Sequence, residues 1–340
     1  MTGLLDTLRP QRILVFRALQ LGDMLCAVPA LRALRAAAPT ARITLVGLPW
    51  AAQLRLRYPH YLDDFIAFPG HHTLPEQALR HEELPAFHMA LARRHPDLAI
   101  QLHGDGSRTN AIVAGFGARA NAGFHPAGES PLPGWDGVPW PATGLEPHRL
   151  LPLMEHLGAP AHGTHLEFPL YPADDAELHA SGLADDLEPG QYFCIHPGAR
   201  SRDKCWPIER FAEVADHIAQ AWALTPVLTG AANEAGLAHA VAERMQAPAR
   251  IAAGPISIGA MAALMAGARL LVCNDTGVSH LAAGLKLPSV VLFNKADITR
   301  WAPEDTDLHR CLWDPGGERA REVMAHADAL LARGAGQARA

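Results

Sequence analysis

The sequence predicts an α/β fold of parallel βαβ units, built twice along the chain, and three observations carry that prediction. Apolar runs that read as strands, Ile13 to Phe16, Arg42 to Val46, Asp64 to Ala67 and Leu98 to Leu102, alternate with helical stretches, notably Pro29 to Ala38 and Pro75 to Arg94. The rhythm returns in the second half, with strands near 192–196, 225–229, 269–273 and 288–293 and helices near 207–221, 232–245, 257–266 and 277–286. Alternation of this kind requires crossover connections, hence parallel sheets. Finally, 340 residues is too long for one ordinary core and fits two.

The first strand runs through Arg17 into Gly22 and Asp23. An acid there serves either as a first-turn or capping residue or as a carboxylate that takes a proton from an incoming hydroxyl. Gly22 lets backbone come close to a ligand. Further on, His81, His88 and His95 recur every seven residues. Seven helical residues rise about 10.5 Å, too far to share one ion at ligand bonds of about 2 Å, so they read as a polar face. The proline-flanked segment Phe168-Pro169-Leu170-Tyr171-Pro172 has no helical period and reads as the linker between the halves.

In the second half, Tyr192-Phe193-Cys194-Ile195 leads into His196-Pro197-Gly198-Ala199-Arg200-Ser201-Arg202-Asp203-Lys204-Cys205-Trp206-Pro207, which holds one of only three lysines against 26 arginines. An ammonium in such a loop neutralises an anion or is simply solvated. Thr229 closes the next strand, with Glu234 at the start of the helix after it. The apolar strand Leu271-Val272-Cys273-Asn274 then meets Asp275-Thr276-Gly277 and an Ala/Leu helix. Asp275 and Thr276 can cap that helix, Gly277 admits a close ligand, and the first free N–H groups and the positive dipole end suit a phosphate. His280, three residues past Gly277, faces back toward the same terminus or is a buried, satisfied histidine. Trp206 and Trp301 are core residues or walls of a site. Asp305-Thr306-Asp307 follows a loop and not a strand, so it reads as surface. The last helix is expected over roughly 318–332, with a frayed Ala/Gly tail at 334–340.

Composition excludes several classes. Hydrophobic residues at 49% and charged residues at 19% are globular values. No apolar run approaches the roughly 18 residues that span a bilayer, and the N-terminus is not a secretory signal, so a cytoplasmic location is expected. Five scattered cysteines, Cys26, Cys194, Cys205, Cys273 and Cys311, never form C-x-x-C, which speaks against a disulfide framework or a zinc site. A net charge of −6, with no basic half, argues against nucleic acid as a partner.

Six ordered blocks carry a more specific reading: R-x-x-x-x-G-D with P-A-L-R-A-L following (Arg17 to Leu34), Asp97 to Gly104, His148 to Gly158, H-P-G-A-x-x-x-x-K-x-W-P, Leu228-Thr229-Gly230 with Glu234 beyond, and N-D-T-G-x-x-H-L-A-A. In this order, over about residues 12–303, they resemble glycosyltransferase family 9, the ADP-heptose:lipopolysaccharide heptosyltransferases. One departure is Phe293-Asn294-Lys295, where the family usually reads F-G-P or F-G-x.

The resemblance implies a GT-B fold, two Rossmann-like domains facing across a central cleft. It implies an acceptor-binding domain at 1–168, a nucleotide-sugar-binding domain at 173–317, and a helix and tail at 318–340 that pack back on the first domain. The activity implied is inverting transfer of a heptose from ADP-heptose to a hydroxyl of a lipopolysaccharide inner-core acceptor. Asp23 would be the base and Lys204 would neutralise the departing diphosphate. Gly22, Thr229, Glu234, Asp275, Thr276, Gly277 and His280 would hold the donor. No metal and no cofactor are expected, and the halves should close about 168–172 when donor binds. The expected partners are the nucleotide sugar, a glycan acceptor and the inner face of the inner membrane. The alternatives are a transferase for another sugar or acceptor, a non-transferring ADP-sugar-binding protein, or a GT-B epimerase. A dehydrogenase is disfavoured because no G-x-G-x-x-G follows the first strand.

Overall fold

The computed structural model describes residues 3–337 and divides into two compact units, Met1–Leu166 and Glu167–Ala340. In the first unit, six parallel strands, β1 (Arg12–Phe16), β2 (Arg42–Gly47), β3 (Asp64–Ala67), β4 (Leu98–Gln101), β5 (Ala120–His125) and β6 (Trp135–Pro139), lie in the order β3-β2-β1-β4-β5-β6. Ile13, Leu14, Val15 and Phe16 are all buried, as expected for a central strand covered on both faces. On one face Phe16 packs edge-on against Phe68 and Phe116, with ring centroids 5.1 and 5.6 Å away.

The second unit repeats the plan with β7 (Tyr192–His196), β8 (Thr225–Ala231), β9 (Arg250–Gly254), β10 (Leu271–Asn274), β11 (Ser289–Phe293) and β12 (His309–Trp313), all parallel and ordered β12-β11-β10-β7-β8-β9. In both units the first strand sits at the centre, the second and third on one side, and the fourth to sixth on the other. This is the doubly wound order, and it opens a crevice at the carboxyl ends of the first and fourth strands, where the crossovers part to opposite faces. In the second unit that crevice lies between β7 and β10.

The helix Ile208–Trp222 buries Phe211, Val214, Ala215 and Ile218, a three-four spacing that forms one stripe facing the sheet. The last helix, Ala320–Gln337, packs on it and buries Val323, Ala327, Leu330 and Leu331 in the same core. Asp328 fixes the contact by accepting from His217 Nε2 at 2.9 Å and Trp222 Nε1 at 2.7 Å. The apolar stripe of this helix is thus used within the second unit. Residues 338–340 of the tail expected to fray lie outside the described residues.

The helix expected over Pro75 to Arg94 forms only from Leu84 to Arg94, after a short 3₁₀ turn His81–Glu83. Pro85 tolerates only a first-turn position because it lacks an N–H. The residues before it fold back on the end of β3 instead: Gln77 Nε2 donates to Phe68 O at 3.0 Å and Arg80 N to Pro69 O at 2.9 Å. His81, His88 and His95 are exposed, as is Asp305-Thr306-Asp307. Among the described residues no helix is long and apolar enough to cross a membrane.

Candidate functional site

Asn274, the last residue of β10, is fully buried at the crevice of the second sheet. Its Oδ1 accepts from Trp206 N at 2.8 Å, and its Nδ2 donates to Pro197 O at 2.9 Å and to Gly198 O at 3.3 Å. One amide therefore fastens both ends of the loop that leaves β7. Trp206 is itself buried and donates from Nε1 to Asp314 Oδ2 at 2.9 Å. Asp314 also accepts the N–H groups of Glu318 and Arg319 at 2.9 and 3.0 Å, fixing the turn into the last helix. With Pro197 and Trp206 pinned, the intervening segment stands out toward solvent and carries Lys204 on a 3₁₀ turn, Arg202–Lys204.

Lys204 Nζ lies 3.8 Å from Asp275 Oδ2. That is beyond a direct charge-assisted hydrogen bond, so the ammonium is placed near the carboxylate without being consumed by it. Asp275 directly precedes Thr276, the N-cap of the helix Gly277–Leu285. The Thr276 side chain makes no capping bond, while its carbonyl accepts from Ser279 N at 3.0 Å and Ser279 Oγ at 2.7 Å. The first-turn N–H groups and the helix dipole thus face the region beside Lys204. His280 is buried one turn in, its ring 6.1 Å from that of Trp301.

Beside this group, at the ends of β7 and β8, His196 Nδ1 meets Thr229 Oγ1 at 3.1 Å and Nε2 lies 3.9 Å from Glu234 Oε2. Burial pushes the His196 pKa down and the Glu234 carboxylate pulls it back up; burial prevails, leaving the ring neutral at neutral pH. Glu234 also accepts from Ala231 N at 2.9 Å, so it does act as the turn-capping acid that its position suggests. Gly198 makes room for it, since a Cβ at 198 would lie 2.3 Å from Glu234 Oε1. Gly198 therefore touches Glu234 on one side and Asn274 on the other, joining the two groups into one.

In the first unit, Asp23 is half-buried in the first turn of the short helix Leu21–Cys26, whose N-cap is Gln20, and Gly22 precedes it. The buried Arg17 shapes the approach: its Nε donates to Asp23 O at 2.9 Å, its Nη1 donates to Leu102 O, and its Nη2 lies 3.4 Å from Glu146 Oε1. Arg149, also buried, shares Glu146 at 3.4 Å and stacks over Trp140 at 4.4 Å. His103 accepts from Ala18 N at 3.3 Å, and burial, helped by Arg17, lowers its pKa to about 3. The turn carrying Asp23 is thus tied to the ends of β1 and β4 through Arg17.

The second unit gathers Lys204, Thr229, Glu234, Asp275, Thr276, Gly277 and His280 around one crevice, and the first holds Gly22 and Asp23. Sequence reasoning missed Asn274, Asp314, Glu146 and the anchoring roles of Arg17 and Trp206. Among the described residues no group of three His, Cys, Asp or Glu side chains is placed to hold a metal ion.

The family described as glycosyltransferase family 9 (heptosyltransferase) matches residues 149–324, more than half of the chain. The chain belongs to that family. Lipopolysaccharide heptosyltransferase 3 of Escherichia coli is 32% identical over 135 residues, which is 39% of this chain and 38% of the relative. The match thus spans well under half of that relative's length. Among solved structures, the family 9 glycosyl transferase of Veillonella parvula superposes with a TM-score of 0.78 at 22% identity, covering 95% of this chain and 97% of that one. The E. coli ADP-heptose lps heptosyltransferase II gives 0.75 at 21% identity, covering 95% and 99%. At these identities the superpositions establish the fold, which is GT-B.

Proposed function

We propose that this family member is an inverting glycosyltransferase that moves a heptose from ADP-heptose to a sugar hydroxyl of a lipopolysaccharide inner-core acceptor. The observation that carries the reading is the placement of Lys204 beside Asp275 at the start of the helix Gly277–Leu285. An ammonium, a hydroxyl not used for capping and free helical N–H groups together suit a diphosphate. The heptose and the acceptor come from the family description and from the relative's name.

In this scheme the acceptor oxygen forms a bond to the anomeric carbon from the face opposite the diphosphate, and the bond from that carbon to the β-phosphate oxygen breaks. ADP leaves with the electron pair, and Asp23 takes the acceptor proton. Negative charge grows on ADP during the step, so Lys204, Thr276 and the helix terminus stabilise the transition state more than the ground state. Thr229 and Glu234 hold the donor's nucleoside or sugar, His280 closes the inner side of the diphosphate site, and Gly22 lets backbone approach the reacting groups. The scheme asks for no metal ion or cofactor, and the enzyme works in the cytoplasm with peripheral contact at the inner membrane.

The test is ADP release from ADP-heptose with and without acceptor, for the wild type and for Asp23→Asn. Release should depend on acceptor, and the variant should bind donor normally but turn over about 10² to 10⁴ more slowly. Donor binding without release would make the chain a binding module, and epimerised donor formed without acceptor would make it an epimerase. An Asn variant within a few-fold of wild type would remove Asp23 from the chemistry.

A further inference from the structure

A second cavity lies at the amino-terminal edge of the first sheet, the end away from Asp23. Arg12 and Arg42 face each other in register as the first residues of β1 and β2, Asp64 opens β3 opposite Thr44, and Arg93 and Arg94 close the helix Leu84–Arg94. With Ile13 and Leu14 as an apolar floor, these residues line a space of about 400 Å³. That is within the range of small-molecule pockets and larger than a bare inorganic anion needs.

The charge in its wall is one-sided. Four guanidiniums face one carboxylate, and Asp64 is engaged mainly with Arg94, at 2.9 Å from Nε and 2.5 Å from Nη2. Arg42 reaches Asp64 only at 3.4 Å. The partner of Arg12 is Asp97, which does not line the cavity; it lies 3.5 Å away and already accepts the N–H groups of Gln11 and Arg12 at 3.0 and 2.9 Å. Contacts of 3.4–3.5 Å are long for charge-assisted pairs. Arg93 is exposed and forms no ion pair among the described residues.

Thr44 supplies an independent sign. It is 2% exposed and lines the cavity, and its hydroxyl makes no hydrogen bond among the described residues. That oxygen is not among the fully buried unpartnered polar atoms, so what little exposure Thr44 keeps includes its hydroxyl, open to the cavity that it lines; Val would fill the position without offering that contact. Arginines at a helix C-terminus complement the dipole, which accounts for Arg93 and Arg94 but not for Arg12, Arg42 or the hydroxyl. Planar guanidiniums around a hydroxyl donor match the oxygens of a phosphate group.

We propose that this cavity binds a phosphate-bearing molecule, a phosphomonoester or phosphodiester, through Arg12, Arg42, Arg93 and the Thr44 hydroxyl. Two sources share that chemistry, a soluble phosphorylated metabolite and a phospholipid headgroup, and the experiment separates them. The full chain, with saturating ADP to fill any nucleotide site, is titrated calorimetrically at low salt with inorganic phosphate and with glycerol 3-phosphate. In parallel it is sedimented with phosphatidylglycerol or phosphatidylcholine vesicles.

Binding of glycerol 3-phosphate assigns a soluble ligand, and preference for phosphatidylglycerol vesicles without soluble binding assigns a headgroup. In either case Arg42→Gln/Arg93→Gln should weaken binding about tenfold or more. That variant leaves Arg94 on Asp64 and touches only exposed side chains, so its melting temperature should stay at the wild-type value. Thr44→Val should melt no lower than wild type while binding about fivefold more weakly, a combination that a purely structural threonine would not show. The proposal is overturned if the wild type binds none of these probes in preference to phosphatidylcholine, or if the binding seen survives both variants unchanged.

Discussion

Asn274→Asp exchanges one atom pair and should be most damaging at neutral pH. The native amide accepts from Trp206 N and donates to two carbonyl oxygens, Pro197 O and Gly198 O, at 2.9 and 3.3 Å. A carboxylate can still accept from Trp206. Its second oxygen would face the two carbonyls with no proton between them, in a fully buried position. The group relieves this only by holding a proton, which it can then donate to Pro197 O, so its folded-state pKa must rise.

Taking the unfolded pKa as about 3.9, each pH unit over which the folded form alone stays protonated costs about 1.4 kcal/mol. If the proton is held throughout, the penalty is about 1.5 kcal/mol at pH 5 and about 5 kcal/mol at pH 7.5, the latter a ceiling because the loop can release first. The sign follows from proton counts: the folded state binds more protons than the unfolded state above pH 3.9, so the variant loses stability as pH rises.

Because two units need not unfold together, a global melt is ambiguous. Urea-dependent hydrogen exchange of the β7 and β10 amides reports the relevant unit. The difference between wild type and variant should grow by about 3 kcal/mol from pH 5 to pH 7.5. A difference that is flat with pH, or that shrinks as pH rises, would show that the amide does not hold the loop in the way described.

Lys204→Ala should weaken ADP binding and slow transfer by roughly 10² to 10³, measured by calorimetry and ADP release; lost stability with unchanged ADP affinity would make the lysine structural. Gly198→Ala places a methyl 2.3 Å from Glu234 Oε1, and since that carboxylate ends a flexible side chain, stability should fall by only about 1 kcal/mol. Donor affinity should fall more than this, because the displaced Glu234 no longer faces His196; an unchanged affinity would remove both from the donor site. His309 is buried against Ser289 Oγ at 2.8 Å, and burial, opposed by Asp305, lowers its pKa to about 4. Between pH 6.5 and 4 the unfolded chain binds the extra proton, so stability falls with acidification by about 3 kcal/mol from this residue alone. His309→Gln should flatten that slope in acid titrations of urea stability, and an unaltered slope would contradict the assignment.

The parts of this protein that were legible in its sequence are those whose cause is local. A run such as Leu271-Val272-Cys273-Asn274 followed by Asp-Thr-Gly and a helix states its own geometry, so the strand ends bearing Asp23, Thr229 and Asp275 could be placed. The 3-2-1-4-5-6 order is not local, and four of the twelve strands among the described residues escaped notice for a physical reason. Among them β6, β9 and β12 are edge strands with one neighbour each, so they can be built from Trp-Asp-Gly-Val-Pro or His-Arg-Cys-Leu-Trp without the apolar run that marks a covered strand. β5 is interior but small-residued because Gly123 sits against Gln101, where a Cβ would approach to 2.9 Å.

The same distinction separates the residues found from those missed. Asp275 and Thr276 were read as the working part of their motif, while Asn274 passed as the end of a strand. Its partners lie 68, 76 and 77 residues away in sequence, and the Trp206–Asp314 bond closes 108. No local pattern marks a side chain whose function is to hold another loop. A residue that contacts a ligand advertises itself through the turn or cap around it, whereas one that positions a loop is recognised only when a buried polar group is seen with every hydrogen bond satisfied by distant backbone. The pH signature expected of Asn274→Asp would reveal such a residue without a structure.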